Sequence, residues 1–440
     1  MIFIEHASLN DRTIKENFGA PEYSYLFVKR AFQPVLDRLG ERVEVADPAR
    51  EVEPIFRAAE ARGEPCVFLS YNPPHKTPLG LACPTIPVFA WEYDRIPDET
   101  WDDDPRNDWR HGLLQTGMAI THCRSAATAV RSSLGDDYPI WVAPAPLFER
   151  FNTVGAAASG WREPFDVPLD GAVAISAGEV DLSLFRPERG LADGVEALRL
   201  LDRVAQAPGR ASGSLRLEGV VYTSVLAPAD GRKNWRDLVT AFVWAFRATP
   251  TATLVLKLTH AAIEHGLAPV LGHIATLGAF ACRIVLLHGM LANEAYAALV
   301  AATSYAVNAS TGEGQCLPLM EYMSAGRPAV TPAHSAMADY VSPSNAFVVK
   351  SDLRPAAWPQ DERAAIRCRQ HMVSFESLVD QFRESYQVAT SAPARYDRMS
   401  AGAVRALKAF CSEAVVAARI QELLTWLEAS GAGSHRAAAR

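Results

Sequence analysis

The chain has 440 residues, of which 49% are hydrophobic and 21% are charged, and its formal net charge is −7. This length is long for one domain and comfortable for two, and the composition is ordinary for a globular protein. The acidic balance argues against a nucleic-acid-binding protein driven by attraction to phosphates.

The cysteines and the N-terminal residues indicate the cellular compartment in which we expect the protein. Seven cysteines are scattered along the chain without a C-x-x-C pair, a pattern typical of reduced thiols rather than of a disulfide framework or a zinc site. The first residues lack the basic segment and apolar run of a signal peptide, and no apolar run reaches the about 18 residues that span a membrane. We expect a cytoplasmic protein, with peripheral contact at the inner face of the membrane left open. The oligomeric state is not indicated.

Residues 1–150 alternate strand-like and helix-like patterns. Such βα alternation implies a parallel sheet covered by helices, so we predict an N-terminal Rossmann-like domain here. The predicted strands are 1–4, 42–46, 66–71, 85–91, 118–121 and 139–142, and the predicted helices are 22–39, 108–116 and 125–134.

An Asp-x-Asp triplet lies between Trp101 and Pro105. Carboxylates at this spacing bind Mg²⁺ or Mn²⁺ in some enzymes. The flanking residues instead have the chemistry of a turn and of helix capping. We therefore predict no metal site in the chain.

A histidine, His122, follows the predicted strand 118–121 and precedes a helix. The carboxyl ends of strands in an α/β sheet form the edge where ligands bind, so His122 is a candidate site residue. The alternative is a structural histidine held by hydrogen bonds.

Residues 151–216 interrupt the alternation, since alanine, glycine, serine, proline and arginine are frequent there. We predict a linker with an insertion. The second Rossmann-like domain is predicted at 217–375, and the helical segment 376–440 follows it. Strands are predicted at 220–226, 253–258, 283–287, 303–308 and 346–349, with most of 360–430 helical, including 374–388 and 401–426.

Arg232 and Lys233 precede a predicted helix that Asn234 is expected to cap. Two adjacent cations beside the positive end of a helix dipole suit an anion such as a diphosphate. Exposed surface charge is the alternative. Lys257 lies inside an apolar strand, where a lysine is rare without a partner.

The segment 308–332 is predicted to form a strand end, a glycine loop, a short helix and a further strand. We expect Gly312 and Gly314 to allow a tight turn with positive φ, and Gly326 to follow the helix. Glu313 in the loop and Glu321 in the helix can then face one pocket at the helix N-terminus. Carboxylates beside a phosphate-binding helix end suit a nucleotide sugar.

This segment, with its ending M-S-A-G-x-P, resembles the donor-binding motif of the family 4 retaining glycosyltransferases. The run Asp230–Trp235 is similar to that family's diphosphate-binding segment. The resemblance implies the GT-B fold, in which two Rossmann-like domains face a cleft and a C-terminal helix returns to the first domain. For the interdomain crossover, both 180–187 and 143–148 are candidates.

The resemblance also implies roles for individual residues. It places Glu313 and His122 at the reacting sugar, and a glycine of the cleft loop at Gly19. It assigns the diphosphate to Arg232, Lys233, Lys257 and Gly314, the sugar and ribose to Glu313, Gln315, Cys316, Leu317 and Glu321, and the base to the loop of His288, Gly289 and Met290.

One departure from the family affects the diphosphate site. Relatives often carry an arginine directly after the strand, where this chain has Leu226 and Ala227, so Arg232 or Lys257 is left to take that role. The implied reaction moves a hexosyl group from a nucleotide-diphosphate sugar to a glycan, lipid-linked or other hydroxyl acceptor, with the donor as co-substrate and no metal or other cofactor.

Other functions stay open at this point. A GT-B epimerase or phosphorylase is one, and a non-catalytic partner subunit with the same fold is another. A nicotinamide dehydrogenase is disfavoured because no G-x-G-x-x-G follows a predicted strand.

Overall fold

A computed structural model describes residues 1–20, 22–155, 159–186, 199, 213–359 and 361–430. Its first sheet is fully parallel, with strand order β2-β1-β3-β4-β5-β6. The strands are β1 (Ile2–Ala7), β2 (Glu41–Glu44), β3 (Cys66–Tyr71), β4 (Thr85–Phe89), β5 (Ala119–Thr121) and β6 (Ile140–Val142).

Four helices accompany this sheet: α1 (Ser24–Leu39), α2 (Pro48–Ala61), α3 (Trp109–Thr116) and α4 (Arg124–Leu134). Strands β3 and β4 are buried along their whole length, as expected when helices cover both faces of a parallel sheet. The structure thus confirms the predicted strands and helices of 1–150 to within a few residues. It adds α2, which sequence patterning missed.

The predicted turn before α3 is also confirmed. Asp102 and Asp103 have φ of 54°, and the Asp104 carboxylate accepts a hydrogen bond from the Arg106 N–H. The Asp108 carboxylate caps α3 in the same way, accepting from the Arg110 N–H. Among the residues that the structure describes, no group of three or more His, Cys, Asp or Glu side chains is arranged to hold a metal ion.

The chain crosses to the second domain directly after β6, through residues 143–147. Helix α5 (Phe148–Asn152) already packs in the second domain, where Leu147 and Phe148 share a hydrophobic cluster with Leu319. The earlier of the two predicted crossovers is therefore the observed one. The later candidate, 180–187, packs through Phe185 in the core of the second domain, and its last residue lies outside the described residues.

The segment predicted as a linker contributes two strands. Strand β7 (Arg162–Pro168) pairs antiparallel with β9 (Ser214–Leu226). Strand β8 (Ala172–Ser176) pairs antiparallel with the strand Arg283–Gly289 and forms one edge of the second sheet. The sequence analysis missed these two strands because small residues are frequent in this segment. The middle of the predicted insertion, 187–212 apart from Arg199, lies outside the described residues.

The second sheet has the order β14-β13-β12-β9-β10-β11-β8, and all its strands except β7 and β8 run parallel. Its remaining strands are β10 (Ala252–Leu258), β11 (Arg283–Gly289), β12 (Tyr305–Val307), β13 (Ala329–Pro332) and β14 (Ala346–Val349). The helices between them are α6 (Trp235–Phe246), α7 (Ile263–Ala275), α8 (Asn293–Ala302) and α9 (Leu317–Ser324).

Part of the region predicted to be helical is a β-hairpin. Strands β15 (Ser351–Ala357) and β16 (Arg367–Val373) pair antiparallel, and the hairpin leaves the second domain to pack on the first. Trp358 lies 5.7 Å from Trp91 and 6.2 Å from Trp101 between ring centroids. The region 360–430 is mostly helical as predicted, but its first part, up to Val373, includes the second strand of this hairpin. The hairpin packs on tryptophans that are distant in sequence, which local periodicity does not report.

The C-terminal helices are α10 (Phe375–Ser391), α11 (Pro393–Cys411) and α12 (Glu413–Ser430). Helix α12 buries Val416, Ile420 and Leu423 in the core of the first domain, and Trp426 packs against Trp141 at 5.4 Å. The predicted return of the last helix to the first domain is confirmed. In the described part of the chain, no helix is both long and apolar enough to span a membrane.

Candidate functional site

The glycine loop, residues 308–316, connects β12 to α9 at the carboxyl edge of the second sheet. Its sharp turn is made by Cys316, whose φ of 62° puts it in the left-handed region, and Pro318 follows in the first turn of α9. The expected positive φ at Gly312 and Gly314 is wrong, since neither glycine adopts it. Glycine is required at these two positions for a different reason, which is the space around them.

Both glycines lie against the first domain. A Cβ on Gly314 would lie 2.8 Å from the Ala90 Cβ and 2.9 Å from the Trp91 nitrogen, and one on Gly312 would lie 3.1 Å from the Glu92 carbonyl oxygen. Side chains at these positions would push the domains apart. The glycines therefore permit the close approach of the two domains, rather than a backbone conformation that other residues avoid.

Glu313 is the buried carboxylate of the loop. Its Oε1 accepts hydrogen bonds from Lys233 Nζ at 2.7 Å and from Ser310 Oγ at 2.6 Å, and its N–H donates to Ser335 Oγ at 3.0 Å. Burial alone would raise the pKa of Glu313, but Lys233 and Arg232 outweigh it and hold that pKa below its ordinary value. The side chain is therefore an ionised carboxylate held by two hydrogen bonds, and the backbone of the same residue is held by a third.

Lys233 and Arg232 are held in place by the turn 230–234. Asp230 caps this turn by accepting from the Arg232 N–H, whereas Asn234 takes a left-handed conformation with φ of 46°. Within the described residues the Asn234 side chain makes no capping bond to α6, so the expected cap of this helix by Asn234 is wrong, and Asp230 caps only the turn before it. Burial would lower the pKa of Lys233, but Glu313 raises it above its ordinary value.

Arg232 points across the interface between the domains. Its guanidinium contacts the Asp230 carboxylate at 2.8 Å, the Gly312 carbonyl oxygen at 3.1 Å and the Glu92 carboxylate of the first domain at 2.9 Å. Every nitrogen of the guanidinium thus has an acceptor from the protein. In this conformation Lys233, rather than Arg232, is the cation that faces the Glu313 side of the site.

Glu321, in the second turn of α9, accepts a hydrogen bond from the Tyr296 hydroxyl at 2.5 Å. Burial raises the pKa of Glu321 above its ordinary value, although this hydrogen bond acts in the opposite direction. The structure places both predicted carboxylates at the same end of α9. Glu313 is charge-paired, and Glu321 is held by a neutral hydroxyl.

Lys257, near the end of β10, is 3% exposed. Its Nζ donates to the Gly289 carbonyl oxygen at 2.5 Å and lies 4.5 Å from the centroid of the Phe18 ring, which belongs to the first domain. Burial lowers the pKa of Lys257 to about 7, and the attraction of the Glu321 carboxylate, which acts in the opposite direction, is too weak to offset it. Lys257 therefore links the base loop 288–290 to the cleft loop that contains Gly19.

The depressed pKa of Lys257 predicts a pH-dependent stability. The unfolded chain keeps this proton up to about pH 10.4, whereas the folded chain releases it near 7, so the unfolded state binds more protons between these values. The stability of the wild type should therefore rise with pH relative to Lys257→Met, by about 2 kcal/mol between pH 7 and 9. Melting temperatures of the two proteins at pH 7, 8 and 9 test this, and parallel curves would contradict it.

Gly19 brings the first domain into contact with the second. Its φ is +84°, and a Cβ there would lie 1.9 Å from the Thr259 carbonyl oxygen. The predicted cleft position of this glycine is thus what the structure shows. Tyr23 follows shortly after and packs edge-to-face on Phe18 at 5.6 Å.

His122 and Gln315 hold the same crossover segment from opposite domains. His122 Nδ1 lies 2.9 Å from the Ala143 carbonyl oxygen, and the Ala145 N–H donates to Gln315 Oε1. Burial lowers the pKa of His122 to about 4, so the ring is neutral and donates through Nδ1. Among the described residues, neither His122 Nε2 nor Gln315 Nε2 has a hydrogen-bond partner, although both atoms are buried.

The predicted base loop lies beside strand β8. Gly289 has φ of 108° and pairs with Ala172, and a Cβ on Gly171 would lie 2.3 Å from the Met290 carbonyl oxygen. His288 is 7% exposed, and burial lowers its pKa. This loop is shaped by backbone contacts, and the strand that shapes it comes from the region predicted to be a linker.

A cavity of about 30 Å³ lies beneath the glycine loop, at the ends of β9 and β12. It has room for one or two water molecules and is too small for a sugar. All of its lining residues belong to the second domain. Its polar lining residues include Lys233, Ser310, Glu313 and Cys316, and Leu317 lies next to it in the chain.

Sequence reasoning missed the residues that hold this site in place. The Ser310 hydroxyl donates to Glu313 and the Tyr296 hydroxyl donates to Glu321, whereas the Ser335 hydroxyl accepts from the Glu313 N–H. Glu92 contacts Arg232 from the other domain. A single serine or tyrosine belongs to no pattern of sequence spacing, so the sequence alone does not identify these hydroxyls as part of the site. The only local hint for Glu92 is its position directly after a predicted strand, where ligands and domain contacts concentrate.

No protein-family model matches the sequence, and a search of the curated proteins gives no significant match. Similarity is found among solved structures. The crystal structure of HepE from Anabaena in complex with UDP matches with a TM-score of 0.51 and 12% identity, covering 97% of this chain and 99% of that chain. HepE with UDP and glucose matches at 0.50 and 12%, and HepE with UDP-glucose at 0.50 and 13%, each with the same coverage.

At this identity the likeness shows the fold alone. Two Rossmann-like domains face a cleft, and the last helix returns to the first domain, so the GT-B fold expected from the sequence is confirmed.

Proposed function

We propose that this protein is a retaining, metal-independent glycosyltransferase of family 4 type, which moves a hexosyl group from a nucleotide-diphosphate sugar to a hydroxyl acceptor. The observation that carries the proposal is the buried contact between Lys233 and Glu313, at 2.7 Å, at the end of α9 that also holds Glu321. A cation for a diphosphate and an ionised carboxylate for a sugar thus lie just before the N-terminus of α9, and a second carboxylate for a ribose lies in the second turn of the same helix.

The diphosphate role falls first on Lys233. As the bond between the anomeric carbon and the diphosphate oxygen breaks, negative charge develops on that oxygen, and Lys233 with the N–H groups of α9 stabilises it in place of a metal ion. The bond to the acceptor oxygen forms on the same face of the sugar, and the acceptor proton passes to the departing diphosphate. Glu313 stabilises the positive charge that develops on the sugar ring.

The remaining residues bind and orient the donor. Glu321 accepts the ribose hydroxyls, and His122 with Gln315, whose buried Nε2 atoms are unpartnered among the described residues, faces the sugar. Lys257, Gly314 and the loop 288–290 complete the diphosphate and base contacts, and Cys316 and Leu317 border the sugar. The first domain presents the acceptor, a glycan or lipid-linked sugar at the cytoplasmic side, and closure of the domains excludes water.

Nucleotide binding is the first test of this function. UDP, GDP, ADP and TDP should be screened by thermal shift in EDTA, and a native-state ligand at about 100 Kd stabilises by roughly 2.7 kcal/mol. UDP is the first probe, because HepE was crystallised with UDP. We expect one nucleotide to raise the melting temperature of the wild type and to lose most of this effect in Lys233→Ala and Glu321→Ala.

A non-catalytic partner subunit is the second candidate. The observations that favour it are the absence of an arginine at Leu226 and Ala227 and the full engagement of Arg232 by protein acceptors. If no nucleotide stabilises the protein, or if stabilisation requires a divalent metal, the transferase proposal fails and this candidate takes its place.

A further inference from the structure

Glu92 is a carboxylate of the first domain that contacts the donor-site loop of the second. It follows β4, and its Oε1 lies 2.9 Å from Arg232 Nη1. The Arg232 side chain is 12% exposed and that of Glu92 is 22% exposed, so the pair is largely shielded from water. A charge-assisted contact in such surroundings is stronger than an ion pair on an open surface.

The other contacts of Arg232 belong to its own domain. Asp230, two residues earlier, accepts hydrogen bonds from Nε and Nη2, so a residue of the same domain orients the guanidinium. The remaining nitrogen, Nη1, is shared between Glu92 and the carbonyl oxygen of Gly312. Glu92 is thus the ligand that reaches Arg232 from across the cleft, and it meets a group that is already oriented.

Arg232 in turn holds the glycine loop. The Thr311 N–H donates to the Arg232 carbonyl oxygen at 2.8 Å, and the Gly312 carbonyl accepts from its guanidinium at 3.1 Å. Gly312 also packs directly on the Glu92 backbone. The next residue is Glu313, whose carboxylate is held by Lys233 and Ser310 and whose backbone follows a glycine in contact with both domains.

We propose that Glu92 is a positioning residue, which couples closure of the domains to the placement of Glu313 through Arg232 and Gly312. The consequence for transfer rests on the proposed function above. The coupling itself does not, because it concerns contacts that the protein makes without any ligand. When the cleft opens, the bond between Glu92 and Arg232 is broken and the glycine loop loses its support from the first domain.

The chain offers a matched control. Arg124 of the first domain also reaches across to the second, where its Nε lies 2.8 Å from Asp339 Oδ1. This pair spans the same two domains, and among the described residues its ion pair and hydrogen bonds do not involve the glycine loop. The Arg124 side chain is 73% exposed, against 12% for Arg232, and the Arg124 N–H also donates to Asp339. Arg124→Gln therefore removes a more exposed interdomain ion pair while leaving the support of Gly312 intact.

Hydrogen exchange on the ligand-free, full-length protein tests the coupling. We expect peptides covering 309–316 to exchange about tenfold faster in Glu92→Gln than in the wild type, and unchanged exchange in Arg124→Gln. The double variant Glu92→Gln/Arg232→Gln should exchange no faster than Arg232→Gln alone, because both changes break one contact. Wild-type exchange in Glu92→Gln, or an equal increase in Arg124→Gln, would overturn the proposal.

Nucleotide binding and turnover separate positioning from a general loss of structure. Glu92→Gln should keep the thermal shift given by the stabilising nucleotide, since that site lies in the second domain, while its kcat falls about tenfold and Glu92→Asp recovers part of the loss. Loss of kcat together with the thermal shift and the melting temperature would mean that Glu92 is merely structural. If none of UDP, GDP, ADP and TDP binds the wild type, the proposed function fails, and the exchange experiment still decides the role of Glu92.

Discussion

Lys233→Met is expected to lower kcat/KM for the nucleotide sugar about 1000-fold, which is the upper range measured for the removal of one group that stabilises developing charge. Lys233 is the cation that contacts Glu313, and its methylene stem is retained in methionine, so the change removes the charge with little loss of packing. Steady-state assays of nucleotide release measure the effect. Retention of more than a tenth of the wild-type kcat/KM would contradict this role.

A folding defect must be distinguished from a catalytic one in this variant. Lys233→Met leaves the buried Glu313 carboxylate without its cation, which is destabilising. The double variant Lys233→Met/Glu313→Gln removes both charges, so we expect its melting temperature to recover while its activity stays lost. Arg236→Met is the control, because Arg236 stacks on Trp235 at 4.4 Å, and we assign it no contact with the donor.

Gly19→Ala is expected to reduce transfer about 100-fold and to leave nucleotide binding largely intact. The added Cβ would lie 1.9 Å from the Thr259 carbonyl oxygen, so the described contact between the domains cannot form. The second domain, which we propose to bind the nucleotide, needs no change of its own. A misplacement of about 1 Å in the reacting groups already costs on the order of 100-fold in rate.

Gly63→Ala controls for backbone strain. Gly63 has φ of +69°, close to the +84° of Gly19, but a Cβ there meets nothing within 4 Å. Both variants thus force alanine into the left-handed region, at a cost of about 1 kcal/mol, and only Gly19→Ala obstructs the cleft. Full activity in Gly19→Ala, or an equal loss in Gly63→Ala, would show that the contact with Thr259 is not needed.

The sequence predicted the features that local pattern determines. Strand β3 was placed at its observed bounds, because a short apolar run between turn signals is typical of a buried strand. Glu313, Glu321 and Lys233 were identified because their spacing and flanking residues resemble a known motif. The structure brings all three to the carboxyl edge of the second sheet, as the predicted strand–loop–helix order requires.

What the sequence did not predict depends on contacts between distant segments. The hairpin β15–β16 is stabilised by tryptophans more than 200 residues earlier, and Gly312 and Gly314 are glycines because another domain approaches them. Glu92 was missed for the same reason, since its partner Arg232 lies in the other domain. Periodicity and turn chemistry describe neighbours along the chain, and these residues act on neighbours in space.

The chain passes between the domains at 143–147 and where α11 gives way to α12, in addition to the hairpin β15–β16, which reaches from the second domain to the first. The two passages meet, because the N–H of Glu413 donates to the carboxylate of Glu149 at 3.0 Å. These two passages are thus tied to each other by a hydrogen bond, so any separation of the domains has to keep them together. The directions in which the domains can move apart are restricted accordingly.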